Sequence, residues 1–277
     1  KKVLYKIKFF YKTFIMNKCR CCSENLTSQL FSAKILNRDA AYFDCENCGY
    51  VQTEEPTWLE EAYASAIDNS DTGIMLRNLS NVPLVLSTLI LMKKKNSLVV
   101  DYAGGHGFLV RLLRDIGIDA LWSDPYCENL VARGFEHVNK KQANLVTAFE
   151  SFEHFVRPHD EMKKILDISP NILLTTNIIA DPAPKPSDWW YYGLNSGQHI
   201  GFYRLRTLQY LADKFGLYLI SDGASRHFFS KQKYSYIIWR ILIYITGKFP
   251  KLLRMGMKSK TWEDYLLISS DKNNFTK

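Results

Sequence analysis

At 277 residues, with 47% hydrophobic, 14% aromatic and 23% charged side chains, the chain has the make-up of one sizeable folded domain plus a small appendage, which excludes a disordered, collagen-like or repeat protein. Its net charge of +8 would suggest a nucleic-acid partner, but the excess is confined to two segments. Residues 1–20 carry seven Lys/Arg and residues 231–260 carry eight, both without an acid, and the rest of the chain holds 21 basic against 28 acidic side chains, so the body makes nucleic acid an unfavoured partner.

The opening, KKVLYKIKFFYKTFI, has lysines breaking its apolar runs and no small-residue cleavage site. Residues 1–15 are therefore read as a basic leader of little functional weight, with Met16 an alternative start and a cytoplasmic chain expected. Residues 16–56 are short, turn-rich and bounded by cysteines. Cys19-Arg-Cys21-Cys22 and Cys45-Glu-Asn-Cys48-Gly49 make two Cys-x2-Cys knuckles separated by 22 residues. Such a pair offers four thiolates to one tetrahedral zinc, with Cys19, Cys22, Cys45 and Cys48 as ligands and Cys21 competing for a place. Four thiolates leave no open position, so this zinc-ribbon-like module is structural; an iron–sulfur cluster is the less favoured occupant. Cys127 stands apart as an ordinary thiol.

Residues 57–232 begin with two helical stretches, Trp58–Ala66 and Leu76–Lys94. An alternating series follows: strand Ser97–Tyr102, helix Phe108–Ile116, strand Asp119–Ser123, a helix around Glu128–Arg133, strand Asn144–Ser151, helix His159–Asp167 and strand Asn171–Ile179. An amphipathic helix, Tyr203–Phe215, precedes a closing strand pair, Leu217–Ser221 and His227–Ser230. Strands that alternate with helices and read as continuous apolar runs predict an α/β fold, a Rossmann-like, mostly parallel sheet with helices on both faces. Ligands of such sheets bind beyond the carboxyl ends of the strands. Residues 233–277 form a basic helical extension. Its segment 234–258 mixes Ile237, Ile241, Trp239 and Tyr244 with Arg240, Lys248 and Lys251, which suits either a helix packed on the domain or peripheral contact at the inner face of a membrane. Its apolar run, Tyr234–Thr246, is too short to span a bilayer.

The sequence Val99-Val100-Asp101-Tyr102-Ala103-Gly104-Gly105-His106-Gly107 follows a strand and opens a helix. It lacks the Gly-Lys-Ser/Thr of a phosphate loop, and a carboxylate at the strand end would repel a pyrophosphate. The acid and the glycines together suit a ligand with cationic and hydroxyl groups. The segment resembles motif I of class I S-adenosylmethionine (SAM) dependent methyltransferases, with Asp101, Gly105 and Gly107 in place, Ala103 where the first glycine usually stands, and Gly104 beside it. The resemblance continues over about residues 76–232. Asp124 in Trp122-Ser123-Asp124-Pro125 stands where the family holds the ribose hydroxyls. Phe149, Glu150 and the pair Glu153-His154 resemble the segment at the end of strand four. His199-Ile200-Gly201-Phe202-Tyr203 resembles the stretch after strand five.

The resemblance implies SAM as cofactor, held by Asp101, Ala103, Gly104, Gly105, Gly107, Asp124, Phe149 and Glu150. Methyl transfer needs alignment and, for a hydroxyl acceptor, a general base. His154, His199 and Glu153 are the catalytic candidates, because they fall after strands four and five; His106 is expected against the cofactor, and His137, His159 and His227 in packing or surface roles. Trp189, Trp190 and Tyr191 are candidates for stacking on an acceptor ring. A zinc module ahead of such a domain is similar to the deoxysugar C-methyltransferases, which act on nucleotide-linked sugars but carry a further large C-terminal domain, and to methyltransferases associated with glycan assembly. The expected function is therefore methylation, of a hydroxyl, on a small-molecule or glycan acceptor, a nucleotide-sugar or surface-polysaccharide sugar. An RNA methyltransferase gripping RNA through the zinc module and a non-catalytic SAM-binding scaffold are the alternatives.

Overall fold

The computed structural model describes residues 18–26, 28–64, 71–138 and 141–272; the expected basic leader over 1–15 lies outside the described residues. In chain order the strands are β1 (Gln29–Ile35), β2 (Arg38–Asp44), β3 (Val51–Thr53), β4 (Leu98–Tyr102), β5 (Asp119–Ser123), β6 (Leu145–Phe149), β7 (Ile172–Thr175), β8 (Gly201–Phe202), β9 (Tyr218–Ser221) and β10 (Arg226–Ser230). The helices are α1 (Leu59–Ala62), α2 (Ile74–Leu91), α3 (Phe108–Asp115), α4 (Pro158–Leu166), α5 (Leu205–Phe215), α6 (Tyr236–Lys248), α7 (Pro250–Leu253) and α8 (Thr261–Lys272).

Six strands form the main sheet in the order β5-β4-β6-β7-β10-β9. β4, β5, β6 and β7 run parallel, and β10 is antiparallel to both its neighbours. The continuous apolar runs are explained by two-sided burial. Val99, Leu145 and Leu173 face one core layer with α2, α3 and Trp239 of α6, while Val100, Val146 and Leu174 face the other, with α4 and α5. This is the α/β architecture with helices on both faces that the alternation predicts. α2 is long and apolar enough to cross a membrane, yet Leu84, Val85, Leu86 and Leu89 are buried in the layer between sheet and α6, the position of a core helix.

The helix expected around Glu128–Arg133 is absent: these residues form turns. The amides of Leu130 and Val131 both donate to the His106 carbonyl, and Asn129 accepts from the Ala132 amide, so local partners pull this stretch away from a helix and onto the glycine loop. Strand Asn171–Ile179 ends at Thr175, after which Ile178 only bridges Tyr203.

A second sheet, ordered β1-β2-β3-β8, takes three strands from the cysteine module and its fourth, Gly201–Phe202, from the chain after β7. Further contacts join the two parts. The Arg204 guanidinium donates to both Asp44 carboxylate oxygens at 2.7 Å and to the Gly49 carbonyl at 2.9 Å. Arg20 donates to the Ile200 carbonyl at 2.5 Å. Hydrogen bonding thus runs straight across the boundary at residues 56–57.

The cleft at the strand ends and the cysteine cluster

A cleft of about 1330 Å³ opens beyond the carboxyl ends of β4, β5 and β6, with α2 on one rim and the segment 189–199 on the other. Its floor is the glycine loop. Ala103, Gly105 and Gly107 all have left-handed backbone (φ of 56°, 53° and 88°). Glycine adopts this freely and alanine does not, so Ala103 carries strain in place of a glycine. A Cβ on Gly104 would lie 2.8 Å from the Asp101 carboxylate and 3.1 Å from the Trp122 ring, whereas one on Gly105 would meet nothing within 4 Å. Bare backbone therefore faces the cleft at Gly105, and Gly107 starts α3 behind the loop.

The Asp101 carboxylate is buried at the end of β4 and accepts from Thr147 Oγ1 at 2.6 Å. Burial, with the nearby Asp124 charge adding to it, pushes its pKa up to about 7. Asp124 binds the loop itself: Oδ2 accepts from the Gly105 amide at 2.9 Å, and Oδ1 accepts from the Tyr126 and Cys127 amides. Phe149 and Glu150 line the cleft after β6, and burial beside Glu153 pushes Glu150 up to about 7. His106 and Cys127 also reach the wall. The loop geometry, the bare Gly105 backbone and the acidic lining fit a bound ligand of the shape and positive charge of SAM.

At the far wall, His154 and His199 meet edge to face with ring centres 4.8 Å apart. His154 Nδ1 shares a 2.8 Å hydrogen bond with the Tyr63 hydroxyl, and burial together with His199 pushes its pKa down to about 3. His199 Nδ1 lies 2.6 Å from the Tyr191 carbonyl. A carbonyl can only accept, so in the neutral ring Nδ1 carries the proton and Nε2 is the nitrogen with the lone pair.

One expected site residue takes another place. Glu153 is fully buried and absent from the cleft lining; its Oε1 accepts from the Tyr191 hydroxyl at 2.6 Å while Oε2 has no partner. It supports the wall that carries His154 and cannot touch an acceptor in this arrangement. Trp189, Trp190 and Tyr191 all line the cleft; Tyr191 is buried with its hydroxyl committed to Glu153, and half-buried Trp189 packs on Tyr191, Tyr192 and Phe202. Of the three aromatics Trp190, 80% exposed, offers the most open face. Among the remaining histidines, His227 is buried between Ser221 and the Thr176 carbonyl, and His159 packs on Phe215.

Residues 57–94 supply lining that the motifs do not reveal: Tyr63, and Ile74, Arg77, Asn78 and Asn81 on one face of α2. The signal was present as polar side chains at positions 77, 78 and 81, a helical spacing, on an otherwise apolar helix. Arg77 pairs with Asp71 at 2.6 Å and brings a cation to a mostly acidic rim.

In the cysteine module Sγ of Cys19 lies 3.6 Å from that of Cys48, and Sγ of Cys22 lies 3.5 Å from that of Cys45. All four sulfurs fall within 4.8 Å of one another, and Cys21 is outside the group. Four thiolates at Zn–S distances of ~2.3 Å would be separated by about 3.8 Å in a tetrahedron, so the donor set and its spacing fit such an ion. The Cys22 amide points at Cys19 Sγ at 3.5 Å, and Gly49, at φ 78°, turns the second knuckle.

The sequence model of a family described as "Methyltransferase domain" matches residues 75–222. Solved structures similar to the chain include an O-methyltransferase family protein from Burkholderia thailandensis, at 16% identity over 64% of this chain and 68% of that one, with a TM-score of 0.42. The plantazolicin methyltransferase, in complex with SAH, is similar at 10% identity over 62% and 90% with a TM-score of 0.44. Human N-acetylserotonin methyltransferase, in complex with SAM, is similar at 13% identity over 64% and 66% with a TM-score of 0.38. Among curated proteins no sequence matches the chain.

Proposed function

The chain belongs to the methyltransferase-domain family and is a SAM-dependent methyltransferase, and on that premise we propose that it methylates a hydroxyl of a small-molecule or glycan acceptor, with His199 as general base. The observation that carries this reading is the hydrogen bond from His199 Nδ1 to the Tyr191 carbonyl, because it reserves Nε2 for a proton from the acceptor. SAM supplies a methyl group already activated by its sulfonium.

The chain's own residues then have three tasks. Asp101, Asp124 and the bare backbone at Gly105 would hold the nucleoside and the cationic methionine end of SAM. The wall of His154 and His199, braced from behind by Glu153 and Tyr191, would align the hydroxyl with the methyl group; alignment of reacting groups is worth roughly 7–11 kcal/mol. His199 Nε2 would take the proton of the hydroxyl whose oxygen gains the methyl group, the methyl's bond to sulfur breaking to leave S-adenosylhomocysteine. Exposed Trp190 on the rim suits stacking against a sugar or other ring, which supports a cyclic acceptor such as a nucleotide-sugar or a surface-polysaccharide sugar.

We further propose that Cys19, Cys22, Cys45 and Cys48 hold a structural zinc. It would tie β2, β3 and the strand β8 that follows His199 into one unit. Calorimetry with SAM and SAH, with Asp101→Ala as control, tests the cofactor site, and transfer of labelled methyl to panels of sugar nucleotides and glycans tests the acceptor class. Binding of SAM without transfer to any hydroxyl acceptor would sink the hydroxyl reading and leave the family assignment intact.

A further inference from the structure

α6 carries apolar side chains on two opposite faces. One side buries Trp239 and Thr246 against the domain, with Trp239 Nε1 donating to Thr88 Oγ1 of α2 at 2.9 Å. That contact accounts for one apolar face and not for the other. On the opposite side Ile237 and Tyr244 are 69% and 65% exposed, with Ile241 between them at helical spacing and Ile238 beside it. Exposed Phe249 follows at the helix end. α8 repeats the pattern: Trp262, Tyr265 and Leu266 are exposed at spacings of three and four, with the Trp262 and Tyr265 rings stacked at 5.2 Å. α8 is fixed in place, because Asp264 accepts from Arg114 and Arg111 of α3. Side chains of both helices, Ile243 and Ile268, pack into the core layer of α2 and α3, so both helices lie on that side of the sheet. Apolar side chains grouped on one side of a molecule mark a contact surface.

Charge selects the partner. Residues 231–260 contain eight Lys/Arg and no acid. Lys248 continues the exposed row 237-241-244, and exposed Arg240 flanks it, its guanidinium 5.6 Å from the Tyr236 ring centre. A second copy packed through α6 about a twofold axis would bring two acid-free stretches together and meet repulsion; α8, with its exposed Glu263, lies outside that stretch. A polynucleotide would satisfy the cations and leave Ile237, Ile241 and Phe249 unused. An anionic bilayer surface satisfies both: aliphatic side chains enter the acyl boundary, tyrosine and tryptophan sit at headgroup level, and lysine and arginine meet lipid phosphates. We propose that the exposed face of α6, with the basic stretch 231–260 around it, docks the protein on an anionic membrane.

The test uses the full chain in flotation with two vesicle types, phosphatidylcholine alone and phosphatidylcholine containing phosphatidylglycerol. The expected result is binding to the second type only, weakening with salt. Ile241→Glu with Tyr244→Glu should abolish it. Arg240→Gln with Lys248→Gln should lower partitioning roughly 30-fold, at about fivefold for each cation lost. None of these residues lines the cleft, so unchanged SAM affinity shows that the variants are folded. The proposal is overturned if the intact chain ignores anionic vesicles, if the Glu variant binds them as well as the parent, or if sedimentation shows a dimer that Ile241→Glu dissolves.

Discussion

His199 is held by Tyr191 through a single 2.6 Å hydrogen bond from ring to carbonyl, which defines its tautomer and points its basic nitrogen away from the loop that anchors it. Replacing His199 by Ala should lower kcat by ~10²–10⁴-fold, the usual contribution of a general base. SAM affinity measured by calorimetry should stay within about twofold, because the cofactor contacts lie across the cleft. Equal losses in both quantities would show a structural part instead.

Asp101 gives the apo protein a specific pH response. Its folded pKa is raised from the model-peptide value of 3.8 to about 7 by burial. Between these values the folded state binds more protons than the unfolded one, so this group's contribution to stability declines as pH rises from about 4 to 7. Binding of a cationic ligand should run the other way, tightening as the carboxylate ionises near pH 7. Asp101→Asn should flatten both trends in thermal melts and in SAM titrations, although Glu150, also raised to about 7, will leave part of each.

Cys21 and Cys45 separate ligand from bystander. Metal analysis of purified protein should give one zinc per chain, unchanged in Cys21→Ser and lost in Cys45→Ser. A zinc loss in Cys21→Ser would reassign the first knuckle. Cys45→Ser should also reduce turnover, since β3 hydrogen-bonds the segment that carries His199.

Ala103 offers a gain. Its φ of 56° is a left-handed conformation that costs an ordinary residue roughly 1–2 kcal/mol. Ala103→Gly should recover part of that, offset by the greater entropy of glycine in the unfolded chain. The expected net change in chemical denaturation is a stabilisation of up to about 1 kcal/mol.

The parallel core was legible in the sequence because buried strands such as Leu145–Phe149 and Ile172–Thr175 are continuous apolar runs with a glycine loop at the head of the series. The knuckles were legible because thiolate spacing is a local property. Gly201–Phe202 was not, since a two-residue strand has no periodicity and exists only through its partner at Val51–Gln52. The same holds for Tyr63 beside His154, two residues 91 positions apart. Position after strand four marks Glu153 and His154 alike; that Glu153 is fully buried, its carboxylate within 4.8 Å of the His154 and His199 ring nitrogens, depends on packing with Tyr191, which sequence position does not reveal.

The pairing of β3 with β8 limits how such a protein could be recombined. A chimaera grafting residues 57 onward to a foreign N-terminal unit would strip Gly201 and Phe202 of their strand partner and leave Arg204, only 4% exposed, without Asp44. Exposed Asp181, 3.4 Å from Arg204 Nε, would then be its remaining carboxylate partner, and the bidentate pair and the Gly49 carbonyl contact would be lost. The cysteine module and the stretch 200–204 are therefore one structural unit, and an exchange between related chains that moved one without the other would break it.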